Sequence, residues 1–245
     1  MKIIKEIAAR IWALWGIITF ISTFLIFFIP SMLTNLLPDP RSSDLFIRIA
    51  RLWMNIWLTL IGCPVTVKGK ENFASNTTYI VTCNHNSLLD VPLSSPYIPG
   101  PNKTIAKTSF AKIPLFGFYY RKGSVLVDRK SELSRKESYR KMKQVLATGM
   151  HMCIYPEGTR NKTKEVIGPF HSGAFRLAVD TKNAILPGII FNTSKAMPND
   201  KTFYLLPHKL EIHFLPPIPA GENDNADQLK EKTHAIMKAY ITAQL

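Results

Sequence analysis

Two short segments of the 245-residue chain carry side chains of the types that move protons and grip anions. In Asn84-His85-Asn86-Ser87-Leu88-Leu89-Asp90, a histidine precedes an aspartate by five residues. An imidazole changes charge near neutrality, so it can take a proton from a weak nucleophile and give it back. A carboxylate against one ring nitrogen fixes the tautomer and stabilises the imidazolium, which leaves the other nitrogen outward as the base. His85 and Asp90 are therefore candidates for a general base and its orienting partner. Asn, Ser and Asp also cap helices and close turns, and spacing alone weighs the two readings evenly.

The second segment is Tyr155-Pro156-Glu157-Gly158-Thr159-Arg160. Glu157 can bind hydroxyls, and the Arg160 guanidinium can hold a phosphate through two parallel hydrogen bonds. Gly158 allows a ligand close to the backbone. Taken by itself, the segment is equally a β-turn with exposed charges.

Both segments need apolar strands to display them, and the chain supplies these. Strands are predicted at 65–68, 78–82, 103–106, 124–127, 152–155, 185–191, 203–206 and 211–215, from short β-branched and aromatic runs. Helices are predicted at 87–94, 110–120, 131–148 (Ser131 as N-cap, Gly149 as stop), 170–181 and 226–242. This alternation implies an α/β fold, a central largely parallel sheet flanked by helices. Each chemical segment then sits at a strand's exit into a turn, where sheets present polar side chains.

Ahead of this domain, Ile11 to Ile29 holds no charged residue. As a helix it would be about 28 Å long, close to the thickness of a bilayer's hydrocarbon core. After Pro38-Asp39-Pro40, residues 44–61 read as a second helix whose Trp53, Trp57, Arg48 and Arg51 suit a bilayer interface, with a core helix of the soluble domain as the alternative. The expected organisation is a membrane-anchoring pair of helices in 1–62 and an α/β domain in 63–245.

The two motifs together are far more specific than either alone. Asn-His-x-Ser-x-x-Asp followed some seventy residues later by Pro-Glu-Gly-Thr-Arg resembles the glycerolipid acyltransferases, and within them the lysophosphatidate branch. Intervening blocks keep the family order: Ala106-Lys107 with Pro114 and Gly117, Gly123 to Arg129, Phe170-His171-Ser172-Gly173-Ala174, and Ile185-Leu186-Pro187-Gly188. The resemblance implies transfer of a fatty acyl group from acyl-CoA or acyl carrier protein to lysophosphatidate. No cofactor and no metal is implied. It casts His85 as base and Asp90 as its partner, and it assigns Arg129, Glu157, Gly158, Thr159 and Arg160 to the glycerol phosphate. Lys107 would assist the phosphate or the developing negative charge, together with backbone amides of the His85 turn. The chain departs from the family's usual residues at Asn86, Ser109, Tyr155 and Asn161.

The formal net charge of +14 points to an anionic partner. Twelve Lys or Arg against three acidic residues lie between Lys103 and Lys143, as a solvated helix face or as attraction to lipid headgroups or an acidic acyl carrier. A nucleic-acid partner leaves the apolar N-terminus unexplained and has no motif here. The same chemistry on glycerol 3-phosphate or another lysolipid stays open, as does a basic membrane-tethered adaptor that binds anionic lipid without turnover, which would have no use for a His–Asp pair. Cys63, Cys83 and Cys153 have apolar neighbours and no zinc spacing, so they read as reduced core thiols of a cytoplasm-facing domain.

Overall fold

The computed structural model describes residues 2–221 and 225–244. Helix α1 (Lys2–Leu33) is longer than its uncharged run, and it turns back through 34–40 into α2 (Arg41–Leu60). The domain then follows as β1 (Val65–Lys68), β2 (Ile80–Cys83), α3 (Asp90–Ser94), β3 (Asn102–Lys107), α4 (Phe116–Lys122), β4 (Ser124–Val127), α5 (Glu132–Ala147) and β5 (His151–Ile154). It closes with α6 (Gly173–Thr181), β6 (Ile185–Phe191), α7 (Thr193–Ala196), β7 (Leu210–Phe214) and α8 (Ala226–Ala243). The seven strands form one sheet in the order β1-β7-β6-β2-β5-β3-β4. Five run parallel, and β7 reverses against β6 and carries β1 with it.

Period-two alternation divides the strands between two cores. Val81, Cys83, Cys153 and Tyr155 face the layer that holds α1 and α2, whereas Ile80, Met152 and Ile154 face α5 and α6. The central strands β2 and β5 are buried on both faces, which explains their unbroken apolar character. From β2 the chain crosses over β5 to reach β3. From β5 it crosses back over β2 to reach β6. The carboxyl ends of β2 and β5 therefore border the crevice where connections diverge, the usual ligand position in open α/β sheets.

Three expectations fail for identifiable reasons. Residues 203–206 form no strand: the Leu205 N–H goes to the Ala9 carbonyl of α1, and the Leu206 N–H goes to Ala196. Residues 110–120 are not one helix. Pro114 lacks an N–H, and Leu115 has a φ of 58°, so a short turn at 110–112 is separated from α4. Trp53 and Trp57 do not face a bilayer interface. Both are buried, with their indole N–H groups bonded to Thr23 Oγ1 (2.8 Å) and the Gly16 carbonyl (3.1 Å) of α1.

That packing leaves α1 with an outward stripe of Ile4, Ile7, Ile11, Leu14, Ile18, Ile21, Leu25 and Ile29, all exposed. Steps of three and four place them on one face. The span Ile3–Leu36 is long and apolar enough to cross a membrane, with mean hydropathy 2.1 and 28% of its most apolar 18-residue window buried. Its inner face shares a hydrophobic cluster with α2 and the sheet.

Candidate active site

At the exit of β2, Asn84 is buried and latched to β6. Its Nδ2 donates to the Ile190 carbonyl (3.0 Å), and its Oδ1 accepts from the Ile190 N–H (2.7 Å). The chain then turns sharply, and His85 Nδ1 meets Asp90 Oδ2 at 2.7 Å. The same oxygen accepts the N–H groups of Asn86 (2.6 Å) and Ser87 (2.8 Å). Two backbone N–H groups already donate to this buried oxygen, which accepts from the ring as well, so Nδ1 carries the hydrogen and Nε2 is left without one. The predicted helix from Ser87 begins only at Asp90, whose N–H closes a tight turn on the Ser87 carbonyl (3.3 Å) ahead of α3.

Tyr155 lies against the imidazole, with ring centroids 4.4 Å apart and planes 28° from parallel. Its hydroxyl is bonded to Ser94 Oγ at 2.6 Å, which ties the stacked ring to the helix that begins with Asp90. The His85 side chain is 18% exposed. It is thus enclosed by the Tyr ring and the carboxylate while retaining an opening to solvent.

The second motif reaches the same turn through the backbone of His85. Glu157 Oε1 accepts the His85 N–H (2.7 Å), and the Asn161 N–H donates to the His85 carbonyl (2.6 Å). Glu157 Oε2 accepts the Gly168 N–H at 2.8 Å. A side chain at Gly168 would meet that oxygen, its Cβ falling 2.7 Å away. Burial pushes the Glu157 carboxyl above the ordinary glutamate range, and the two amide bonds oppose the rise. Glu157, expected to bind hydroxyls, has each oxygen committed to a backbone amide.

The cations gather along the same sheet edge. Gly158 has a φ of 70°, and a Cβ there would fall 2.8 Å from His171 Cδ2 and 3.8 Å from Arg129 Nη1. The Arg129 guanidinium and the His171 ring therefore flank the glycine, although β4 and β5 are separated by β3. Lys107 ends β3 opposite Val127 of β4. Strand spacing puts the ends of β2 and β3 about 10 Å apart. Among the described residues, the side chains of Lys107 and Arg160 have no hydrogen-bond or ion-pair partner. In the loop after β5, Thr159 is exposed and Arg160 half-buried. The Asp128 Oδ1 accepts the Lys130 N–H (3.0 Å).

One expectation about the turn is narrowed. The N–H groups of His85, Asn86, Ser87 and Leu89 all donate within the protein, so these amides are not available to a developing oxyanion. Sequence reasoning also gave no individual role to Asn84, Tyr155, Gly168 or His171. The nearness of His171 to Pro156-Glu157-Gly158 in the chain was the available signal, and its N–H indeed closes on the Pro156 carbonyl at 2.8 Å.

The model of the Acyltransferase family matches residues 64–191, which is more than half of the chain. The chain belongs to the acyltransferase family. The matched stretch contains every member of the His85 and Glu157 constellation. Among acyltransferase relatives, the 1-acyl-sn-glycerol-3-phosphate acyltransferase of Cocos nucifera is 31% identical over 187 residues, covering 75% of this chain and 59% of that protein. The enzyme of the same name from Chlamydomonas reinhardtii is 29% identical over 208 residues, covering 82% and 61%. That of Saccharomyces cerevisiae is 32% identical over 148 residues, covering 59% and 48%. The chain thus spans about half to three-fifths of the length of the curated relatives it matches. The crystal structure of the 1-acyl-sn-glycerophosphate (LPA) acyltransferase PlsC of Thermotoga maritima superimposes with a TM-score of 0.79 at 23% identity, over 100% of this chain and 98% of that one, which shows a shared acyltransferase fold.

Chemically, this acyltransferase-family site offers one outward imidazole nitrogen, a buried anion behind it and a set of cations beyond. It suits proton removal from a neutral hydroxyl on a molecule that also carries negative charge. Among the described residues no group of three His, Cys, Asp or Glu is arranged to hold a metal ion.

Proposed function

We propose that the chain transfers a fatty acyl group from an acyl thioester, on CoA or on acyl carrier protein, to the free hydroxyl of lysophosphatidate, giving phosphatidate for phospholipid synthesis. The observation that carries this reading is the coupling of two motifs through one residue. His85 is bonded to Asp90 by its ring and to Glu157 and Asn161 by its backbone. A base and an anion-binding loop are thereby held at the same crevice. Three curated relatives with this specificity in their names support the choice of acceptor.

In this reaction His85 Nε2 removes the acceptor's hydroxyl proton as the oxygen attacks the thioester carbonyl. Asp90 stabilises the imidazolium. Lys107 is assigned to the carbonyl oxygen as it gains charge, since most amides of the turn are committed. The tetrahedral species collapses with loss of the thiolate, whose sulfur takes the proton from His85. Arg129, Gly158, Thr159 and Arg160 receive the phosphate, while Glu157 positions the two loops. Ordinary residues suffice for each step, with the thioester as co-substrate and no further cofactor.

Both substrates are lipids or carry lipid chains, so the domain is proposed to work at a membrane, with the α1 stripe in contact with acyl chains and 1–62 as the anchoring segment. Because α1 packs on the domain along its length, contact through one side fits better than a free span. All three cysteines are unpaired and buried, which favours a reducing, cytoplasmic side for the domain.

The test is acyl transfer by the purified full chain, with a panel of lysolipids and both donor types and products identified by mass. Phosphatidate from lysophosphatidate should dominate, and His85→Ala should lower the rate about 10²–10⁴-fold with vesicle binding retained. Near-normal turnover in that variant would remove His85 as the base.

A further inference from the structure

Nine of the twelve cations between Lys103 and Lys143 fall into three groups. On α5, Lys136, Arg140, Lys141 and Lys143 pair with Glu132, Glu137 and Asp180 at the surface. At the carboxyl ends of β3 and β4, Lys107 and Arg129 belong to the candidate active site. A third group lies at the opposite ends of the same two strands, where Lys103 enters β3 and Arg121 and Lys122 precede β4. Lys103 and Lys107 are four residues apart on one strand, about 13 Å, so this third group is distinct from the site of reaction.

Lys103, Arg121 and Lys122 line a cavity of about 430 Å³ together with Asp39, Met32 and Phe118. Three cations face one carboxylate. Asp39 Oδ2 pairs with Lys103 at 3.3 Å. Arg121 gives Nη2 to the Ala111 carbonyl (3.1 Å), and Lys122 gives Nζ to the Ser42 hydroxyl, so both donate to neutral acceptors. Burial pulls the Lys122 ammonium below its usual range, Asp39 opposes the fall, and Lys103 adds a smaller repulsion. An anion in the cavity would relieve that repulsion.

The cavity also has an apolar side. Met32 stands near the end of α1, where Ile29 and Leu33 are exposed, and Phe118 is 65% exposed on α4. Nearby Phe110, Ile113 and Leu115 are exposed as well. The basic cavity thus opens where two outward apolar surfaces converge, which is the arrangement an amphiphile with an anionic head would fill.

We propose that the cavity formed by Lys103, Arg121, Lys122, Met32 and Phe118 binds the phosphate head of an anionic membrane phospholipid, as a second lipid site separate from the acceptor site. The head sits on the three cations, and its chains lie along Phe118 and the end of α1. The site rests on contact of α1 with a membrane and is independent of the reaction proposed for His85.

The experiment is flotation of the full chain with vesicles of phosphatidylcholine alone or mixed with phosphatidylglycerol. It compares wild type with R121Q/K122Q and with K136Q/K141Q, which removes the same charge from α5. Wild type should prefer the anionic vesicles. The pocket variant should lose on the order of ten-fold of that binding, keep its binding to neutral vesicles and retain activity on detergent-dispersed substrate, while the α5 variant should stay close to wild type. Lys103→Gln, on the opposite wall, should reproduce the loss if the double variant is poorly folded. Equal losses in the pocket and α5 variants would reduce the effect to general surface charge and overturn the proposal. So would an equal loss on neutral vesicles. A third arm measures melting temperature without vesicles: stabilisation of wild type but not of R121Q/K122Q by inorganic phosphate would assign the cavity to a soluble anion, not to lipid. Because vesicle binding is read without acyl transfer, an inactive enzyme would leave this test intact.

Discussion

Replacing Glu157 with Gln separates two roles that a motif cannot distinguish, ligand binding and loop positioning. The carboxylate is 5% exposed and accepts one amide on each oxygen, from His85 at 2.7 Å and from Gly168 at 2.8 Å. Glutamine retains one acceptor and puts an NH2 group where the other stood. Whichever way it is oriented, one buried N–H faces a donor. A hydrogen bond to a charged group contributes about 1.5–3 kcal/mol and an unmet buried donor costs about 1–3 kcal/mol, so a loss of about 2–4 kcal/mol in folding stability is expected. If the His85 amide is the one left unmet, the turn moves, and a displacement of about 1 Å in a base costs on the order of 10²-fold in rate. Denaturant unfolding should show the lost stability, and steady-state kinetics should show kcat falling about 10–100-fold while KM for the acceptor changes little. Unchanged stability together with a rise in KM alone would refute the positioning role and return Glu157 to the ligand.

Asp90→Asn should hold the turn through the amide oxygen but remove the charge behind His85, lowering kcat about 10²–10⁴-fold without a matching change in vesicle binding. Arg160→Ala and Arg129→Ala should each reduce kcat/KM for lysophosphatidate about 10–100-fold and leave a lysolipid lacking a phosphate monoester nearly unaffected, since a charge-assisted bond contributes about 1.5–3 kcal/mol. His151 is buried near the start of β5, its Nδ1 accepts the Tyr79 N–H at 3.0 Å, and burial depresses its pKa to about 4. The unfolded chain therefore binds the extra proton first, so stability is full above about pH 6.5 and is lost as pH falls towards 4, by about 3 kcal/mol. Unfolding free energies measured across that range should show the loss, and His151→Gln should flatten that part of the curve.

Local signals carried much of the fold. The bounds of β1, β4 and β6 coincide with their apolar runs, and Ser131 caps α5 by accepting the Ser134 N–H at 3.2 Å. Errors arose where a segment's partner is distant. Residues 203–206 have strand-like composition, yet α1 takes the Leu205 amide. Trp53 and Trp57 look like interface anchors until α1 covers them. The His85–Asp90 contact was readable because five residues of turn make it local. The partners of Glu157 were not, because a backbone N–H has no sequence signature. The placement of Arg129 beside Gly158 depends on the strand order β5-β3-β4, which no local pattern encodes.

The bonds around His85 bear on how a site made from distant segments stays rigid. Its position is fixed from both neighbouring strands of the sheet: Asn84 is locked to β6, and the His85 peptide groups are locked to the loop after β5. The ring is then set by Asp90 and backed by Tyr155, itself held by Ser94. A functional side chain has to be held to within about 0.5 Å, and a turn on one strand end would not achieve that alone. The loop after β5 gains by the same bonds, because the strand exits that carry His85 and the cations cannot shift independently. Substitutions at Asn84 and Gly168 are therefore expected to lower the rate through backbone geometry, although neither has a side chain suited to the chemistry.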